Sequence, residues 1–210
     1  MSLPPLPVPG LIAGVVLAGG RSVRFGGEKA TAVLAGTPLM LWAVRRLRGS
    51  CAHVAVNVRP GTEAEALATA HGLPRLYDAA GDAAGPLAGV RAGLLWAQAL
   101  QARALAVSPC DVPLLPDELF ARLIAAAGAG AAMAVTSQGR QPLCALWPLS
   151  ALPTLSAALA GGAHPPTWRV LESLGARPVE FADAEAFANV NRRADLEAIA
   201  ARLARGAHAP

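Results

Sequence analysis

Four glycines and three positively charged side chains share one short loop near the start of the chain. The loop spans residues 17–29 and reads LAGGRSVRFGGEK, so that Lys29 closes it. Glycine lets the backbone approach a ligand closely and adopt positive φ angles, and successive N–H groups of such a loop can converge on an anion. The natural ligand of this loop is a phosphate group.

Lys29 is the only lysine among the 18 lysine and arginine residues of the chain. A lysine acts as a point charge on phosphate oxygens, whereas the planar guanidinium of an arginine imposes its own geometry. The alternative interpretation is an incidental surface lysine after a flexible turn. The loop is not a Walker A loop, because Glu28 and Ala30 flank the lysine, and its glycine spacing differs from the dinucleotide-binding G-x-G-x-x-G.

Strands and helices alternate along the chain. The pattern predicts strands at 11–17, 53–58, 75–78, 104–108, 131–136, 142–147 and 177–181, and helices at 38–48, 62–71, 85–100, 116–126, 150–159, 166–174 and 195–203. Such alternation is typical of a mostly parallel sheet covered by helices on both faces, with ligands at the carboxyl ends of the strands. We expect one three-layer α/β/α, Rossmann-like domain over residues 11–205, after a flexible lead-in over residues 1–10.

Asn57, Asp78 and Asp111 fall at the predicted carboxyl ends of strands. These ends share one edge of a parallel sheet with the glycine-rich loop, so we expect the three side chains to line one site. Mg²⁺ typically takes one or two protein carboxylates and completes its shell with phosphate oxygens and water. Asp111 is the candidate ligand, and the alternative is a turn-forming aspartate ahead of Pro113.

Composition argues against several classes of protein. No run of 18 apolar residues lacks a charge, and residues 1–10 carry four prolines and no basic side chain, unlike a signal peptide. The three cysteines are odd in number and form no C-x-x-C pair, and the four histidines show no metal-ligand spacing. We therefore expect a cytoplasmic protein with reduced thiols, without a membrane segment.

The net charge of +4 and the pI of about 9.6 would suit a polyanionic partner. The arginines are scattered, and only four tryptophans, four phenylalanines and one tyrosine are present to stack on bases. A polyanionic small molecule accounts for the charge as well as a nucleic acid does, and we expect no nucleic-acid partner.

Five segments occur in a characteristic order: Leu17–Gly20, Arg24–Lys29, Gly85–Gly89, Cys110–Pro113 and Phe187–Asn191. Together, over residues 15–203, they resemble the motifs of the molybdenum cofactor guanylyltransferases. The first two segments are shared with sugar-phosphate and cytidylyl transferases, whereas Gly85–Gly89, residues 142–147 and the F-x-N-x-N segment narrow the resemblance to the guanylyl branch. The resemblance implies a nucleotidyltransferase fold, and transfer of GMP from GTP to the terminal phosphate of the molybdenum–molybdopterin cofactor with release of pyrophosphate.

The implied nucleotide site joins the glycine-rich loop to the polar strand ends. Its residues are Leu17, Ala18, Gly19, Gly20, Arg24, Lys29, Asn57, Asp78 and Asp111. Lys29 and Arg24 would hold the triphosphate, and Mg²⁺ on Asp111 would offset the developing charge. By its match to the family, Asp78 would accept the paired N1–H and N2–H donors of guanine, with Asp82 as a nearby competitor for that role.

The implied acceptor site lies in the C-terminal half of the chain. Its residues are Arg140, Asn189 and Asn191, with Trp168 and Arg169 as further candidates for the phosphate and the pterin. Asn189 and Asn191 could instead be turn residues before the last helix. Contacts with other proteins of cofactor biosynthesis, or with molybdoenzymes, are also expected from the resemblance.

Three features depart from the usual family motifs: Phe25 replaces a methionine, Glu28 replaces the more common aspartate, and residues 192–194 read Arg-Arg-Ala in place of Thr-Pro-Glu. Phe25 also occurs in cytidylyl relatives, so a cytidylyltransferase that uses CTP for the same cofactor is the main competing function. A sugar-phosphate nucleotidyltransferase is a third candidate, and a catalytically silent cofactor-binding protein is a fourth.

Overall fold

The computed structural model describes residues 11–20, 25–81 and 85–206. The predicted lead-in over residues 1–10, together with Arg24 and Asp82, lies outside the described residues. The strands are β1 (Ile12–Leu17), β2 (Val33–Leu34), β3 (Thr37–Pro38), β4 (His53–Asn57), β5 (Arg75–Leu76), β6 (Ala104–Pro109), β7 (Ala132–Thr136), β8 (Gly139–Pro148) and β9 (Arg177–Glu180). The α-helices are α1 (Leu39–Arg48), α2 (Glu63–Ala70), α3 (Pro86–Ala99), α4 (Leu119–Ala127), α5 (Leu152–Leu159), α6 (Thr167–Ser173) and α7 (Arg193–Gly206).

Seven strands form one sheet in the order β5-β4-β1-β6-β8-β7-β9. Strands β5, β4, β1 and β6 are parallel, and β8 alone runs antiparallel to its neighbours β6 and β7. The last residue of β1, Leu17, pairs with Asn57 on one side and with Pro109 on the other. This register brings the carboxyl ends of three strands level with one another, as expected for a mostly parallel sheet.

Helices cover both faces of this sheet. Side chains of a strand alternate between its faces, and in β1 Val16 packs with α1, α2 and α4, whereas Val15 packs with α3, α5 and α6. Each face thus buries its own apolar layer, and Trp147 is the largest fully buried side chain. The predicted three-layer α/β/α architecture is confirmed.

A third, smaller apolar cluster joins the two ends of the chain. Phe25, Leu34 and Leu39 pack there against Val190 and Ile199, the latter from α7. This contact holds the C-terminal helix beside the glycine-rich loop. In the described part of the chain, no helix has the length and apolar character needed to cross a membrane.

The short hairpin of β2 and β3 was not among the predicted elements. Its two-residue turn has positive φ at both Ala35 (47°) and Gly36 (77°), as a type I′ hairpin requires. The sequence did not predict this turn, because the usual residues at its first position are asparagine, aspartate or glycine, and here the residue is alanine. Strand β8 also begins at Gly139, earlier than the predicted residue 142.

Candidate active site

A cleft of about 470 Å³ opens at the carboxyl ends of the parallel strands. The predicted site residues that line it are Leu17, Ala18, Gly19, Gly20, Lys29, Asn57, Asp78 and Asp111. They come from loops that follow β1, β4, β5 and β6, and the sheet register places these loops side by side. Among the described residues, the whole predicted nucleotide site therefore lies in one cleft.

Lys29 is held inside the cleft by two acceptors. Its Nζ donates a hydrogen bond to Asp111 Oδ2 at 2.8 Å and another to Asn191 Oδ1 at 3.1 Å. The side chain of Lys29 is 13% exposed and that of Asp111 is 22% exposed. Lys29 is therefore not an incidental surface lysine, and its ammonium already lies next to the candidate metal ligand.

The turn that carries Lys29 is anchored to the start of α2. The carboxylate of Glu28 accepts a hydrogen bond of 2.8 Å from the backbone N–H of Ala64, and the hydroxyl of Thr31 donates to Glu63 at 2.9 Å. A carboxylate near a helix N-terminus satisfies a backbone donor that has no partner within the helix. Glu28 thus stabilises the turn on one side of Lys29.

Asp78 is oriented by Asn57. The amide nitrogen of Asn57 donates to Asp78 Oδ1 at 2.9 Å and to the carbonyl of Leu76 at 3.3 Å, and Asn57 is only 4% exposed. Gly89, on α3, leaves room for this side chain, because a Cβ at residue 89 would lie 2.5 Å from Asn57 Oδ1 and 2.8 Å from Leu17 Cδ2. Glycine at position 89 is thus required by the close approach of Asn57.

The turn before α7 contacts Asp111 and Lys29. The N–H of Val190 donates to the carbonyl of Asp111 at 2.8 Å. Asp195 Oδ2 accepts from the N–H groups of Asn191 and Arg192 at 2.7 and 2.8 Å, and these bonds lower the pKa of Asp195. Asp195, and not Asn191, therefore satisfies the backbone donors at the start of α7, which leaves the Asn191 side chain available to Lys29.

The other predicted acceptor residues lie near the cleft or outside it. Asn189 is exposed on the same turn as Asn191. Arg140 does not line the cleft, because its guanidinium pairs with Glu172 at 2.7 Å and lies 4.9 Å from the ring centre of Trp168. Arg169 lies 5.2 Å from the same ring. Two cations thus flank one tryptophan.

The family described as MobA-like NTP transferase domain matches residues 14–178. Molybdenum cofactor guanylyltransferases from Cupriavidus taiwanensis and Cereibacter sphaeroides are each 39% identical to this chain, and the alignments cover 91% and 87% of it and 97% and 92% of the relatives. This chain belongs to the molybdenum cofactor guanylyltransferase family. The resemblance inferred from the five motifs is confirmed, and the chain is a nucleotidyltransferase.

Solved structures share the fold of this family member. A protein from Archaeoglobus fulgidus, described as molybdopterin-guanine dinucleotide biosynthesis protein A, superposes with a TM-score of 0.72 at 24% identity, over 92% of this chain and 99% of that one. A 4-diphosphocytidyl-2C-methyl-D-erythritol synthase gives a TM-score of 0.69 at 16% identity, over 93% and 99% of the two chains. At these identities the likeness establishes the nucleotidyltransferase fold.

The protein groups around Asp111 that could bind a metal suit magnesium better than a transition metal. No group of three or more histidine, cysteine, aspartate or glutamate side chains that could hold a metal occurs in residues 11–20, 25–81 and 85–206. Zinc sites usually take three or four such protein ligands, whereas Mg²⁺ is commonly held by one or two carboxylates plus substrate phosphates. A single carboxylate, Asp111, beside the glycine-rich loop fits the second case.

Several residues that line the cleft were not predicted as site residues, although some of them lie in the motif segments that carry the resemblance. They are Glu28, Ala30, Arg59, Gly85, Pro86, Pro109, Cys110 and Leu143. Arg59 carried a usable signal, since it follows Asn57 by two residues at the same strand end. Cys110 lies beside Asp111, and burial together with that carboxylate raises the pKa of its thiol to about 12, which favours the neutral thiol.

Proposed function

We propose that this protein transfers GMP from GTP to the terminal phosphate of the molybdenum–molybdopterin cofactor and releases pyrophosphate. The observation that carries the proposal is the convergence in one cleft of residues 17–20 of the glycine-rich loop, the Lys29–Asp111 pair and the Asn57–Asp78 pair. The names of the relatives, which align over nearly their full length, support the choice of substrates.

The reaction joins two anions. An oxygen of the acceptor phosphate attacks the α-phosphorus of GTP, and the bond from that phosphorus to the pyrophosphate oxygen breaks in line with the attack. Such a step needs positioning and charge neutralisation and no covalent nucleophile. The backbone N–H groups of Gly19 and Gly20 bind phosphate oxygens, since that of Ala18 donates to the carbonyl of Asn57. Lys29 neutralises the phosphate charge, with Arg24 proposed as a second cation.

Asp111 is the proposed ligand of Mg²⁺, which when bound supplies positive charge to the phosphate oxygens. The chain itself holds Asp111 in place, through Val190 N–H at its carbonyl and Lys29 at its carboxylate. On substrate binding the ammonium of Lys29 would turn from Asp111 toward the triphosphate, with Asn191 as its other acceptor. Asp111 would then be available to Mg²⁺, and Lys29 to a phosphate group of the substrate.

Asp78 is the proposed base-recognition residue. Each carboxylate oxygen accepts more than one hydrogen bond, so Asp78 can bind guanine N1–H and N2–H while Oδ1 still accepts from Asn57. Adenine and the pyrimidines do not present this pair of donors side by side. Phe25, the position shared with cytidylyl relatives, is buried in the apolar cluster with Val190 and lines no part of the cleft.

The second substrate is proposed to bind through the C-terminal half of the chain. Asn191 and Asn189 lie on the turn beside Asp111, and Arg140, on β8, lies against the ring of Trp168. Amides and a guanidinium suit phosphate oxygens, and an indole suits a flat ring. The N-terminal half would accordingly bind the nucleotide and the C-terminal half the acceptor.

The test is dinucleotide synthesis by the purified protein with Mg²⁺, molybdopterin-type acceptor and either GTP or CTP, with pyrophosphate release as the readout. We expect turnover with GTP, and a loss of GTP preference in Asp78→Ala. Turnover with CTP alone would overturn the guanylyl assignment. Turnover with sugar phosphates in place of the acceptor would overturn the choice of second substrate.

A further inference from the structure

Strand β8 separates from both of its neighbours over residues 142–144, directly beside the cleft. In the ladder with β7, Met133 pairs with Ala145, but the next residue, Ala134, pairs with Gln141. On the opposite side, the ladder with β6 ends at Ala145. Residues 142–144 therefore form a bulge inside the sheet, without a ladder partner on either side.

Pro142 accounts for the position of the bulge. Proline has no N–H to donate, so within a sheet it occurs at edges and bulges. The two residues that follow it are directed differently: Cys144 is buried in the core, whereas Leu143 lines the cleft together with Pro109 and Cys110. Bulges beside active sites commonly redirect a side chain, and here the redirected side chain is apolar.

The strand order sets the order of the residues along the cleft. Asp78 follows β5, Asn57 ends β4, Gly19 follows β1, Asp111 follows β6, and Leu143 belongs to β8. Neighbouring strands lie about 4.8 Å apart, so the row from β5 to β6 spans roughly 14 Å. A nucleotide whose base binds Asp78 and whose phosphates lie on the loop and Asp111 occupies this row and ends one strand short of Leu143.

We infer that Leu143 determines specificity for the second substrate, as the apolar wall against which a flat heteroaromatic ring, the pterin of the acceptor, packs. The inference deepens the proposed function and rests on it. In-line transfer places the acceptor and the leaving pyrophosphate on opposite sides of the α-phosphorus. An apolar side chain such as Leu143 forms no hydrogen bond or ion pair with a phosphate, so it suits the ring of the acceptor.

The experiment compares Leu143→Ala, Leu143→Met and wild type in steady-state kinetics, with each substrate varied in turn. Leu95→Ala is the matched control, because Leu95 is 50% exposed on α3 and does not line the cleft. We expect Leu143→Ala to raise the KM for the molybdopterin acceptor about tenfold, as loss of a few apolar carbons from a binding wall does. Leu143→Met, of similar volume, should retain the wild-type KM.

GTP binding provides the readout that separates this role from a structural one. Calorimetric Kd values for GTP with Mg²⁺ should stay within about twofold of wild type in both Leu143 variants, and thermal unfolding should report a folded protein. A rise in the GTP Kd equal to the rise in acceptor KM, or an unchanged acceptor KM, would overturn the inference. A wild type that forms no dinucleotide from the acceptor would instead overturn the proposed function, and with it the role of Leu143.

Discussion

Lys29 and Asp111 form an ion pair with an Nζ to Oδ2 distance of 2.8 Å, although 82 residues separate them in the sequence. The pair connects the glycine-rich loop after β1 to the loop after β6. It also places the positive charge needed to bind a phosphate next to the negative charge needed to bind a metal. Each partner neutralises the other until substrate binds.

The first prediction concerns the ammonium of Lys29. Lys29→Met keeps the length of the side chain and removes its charge, so we expect kcat to fall by about 10²- to 10³-fold, the cost of losing one charge-stabilising group in an active site. Lys29→Arg should recover only part of the lost kcat, because the planar guanidinium group does not reproduce the compact charge of the lysine ammonium. Arg48→Met, at the exposed end of α1, is the control. Undiminished turnover of Lys29→Met would refute the role of Lys29.

The second prediction concerns metal dependence. A chelator should abolish turnover of the wild type, and added Mg²⁺ should restore it. Asp111→Asn removes the only proposed carboxylate ligand, so it should need at least about tenfold more Mg²⁺ for half-maximal rate. Asp117→Asn, 96% exposed and paired with Arg46, is the matched control. An identical Mg²⁺ titration curve for Asp111→Asn and wild type would exclude Asp111 as the ligand.

The third prediction separates two glycines of α3. Gly89→Ala places a methyl group against Asn57, whereas Gly93→Ala places one 2.7 Å from Leu105 Cδ2 in the core. Both changes overpack, so each should lower the free energy of unfolding by about 1–3 kcal/mol in urea titrations. Only Gly89→Ala displaces the residue that orients Asp78, and we expect it alone to raise the KM for GTP, by about tenfold. Equal KM values in the two variants would contradict this account of Asn57.

The fourth prediction is a pH dependence at the start of α7. The pKa of Asp195 is lowered by its hydrogen bonds from the N–H groups of Asn191 and Arg192. Stability from such a group is present above its ordinary pKa and is lost as the pH falls through the lowered pKa. The unfolding midpoint of Asp195→Ala should thus lie below that of wild type at pH 7, and the difference should shrink below about pH 4. Glu197→Ala, on the same helix, is the control variant.

Much of the site could be predicted because strand ends obey a simple geometric rule. Asn57 and Asp111 follow apolar runs that read as parallel strands, and the pairing of Leu17 with Asn57 and Pro109 places them at one edge. The rule uses only local pattern and the handedness of strand–helix–strand units. It therefore located the cleft without any knowledge of the contacts within it.

The remaining features depend on contacts between distant residues, which a local pattern does not contain. The carboxylate of Glu28 reaches the N–H of Ala64, 36 residues away, and nothing in the sequence near Glu28 indicates this partner. The bulge at residues 142–144 depends on how β8 meets two other strands, although Pro142 hinted at an irregular strand. The contacts of Arg140 with Glu172 and Trp168 could not be predicted either, because both partners lie on α6.

The central claim is guanylyl transfer to molybdopterin, and a competition reaction tests it most directly. Purified protein is incubated with Mg²⁺, molybdenum–molybdopterin acceptor and equal concentrations of GTP and CTP, and the dinucleotide product is identified by mass spectrometry. The account predicts the guanine dinucleotide in wild type, and loss of that preference in Asp78→Ala. A product that carries cytosine in the wild type would contradict it.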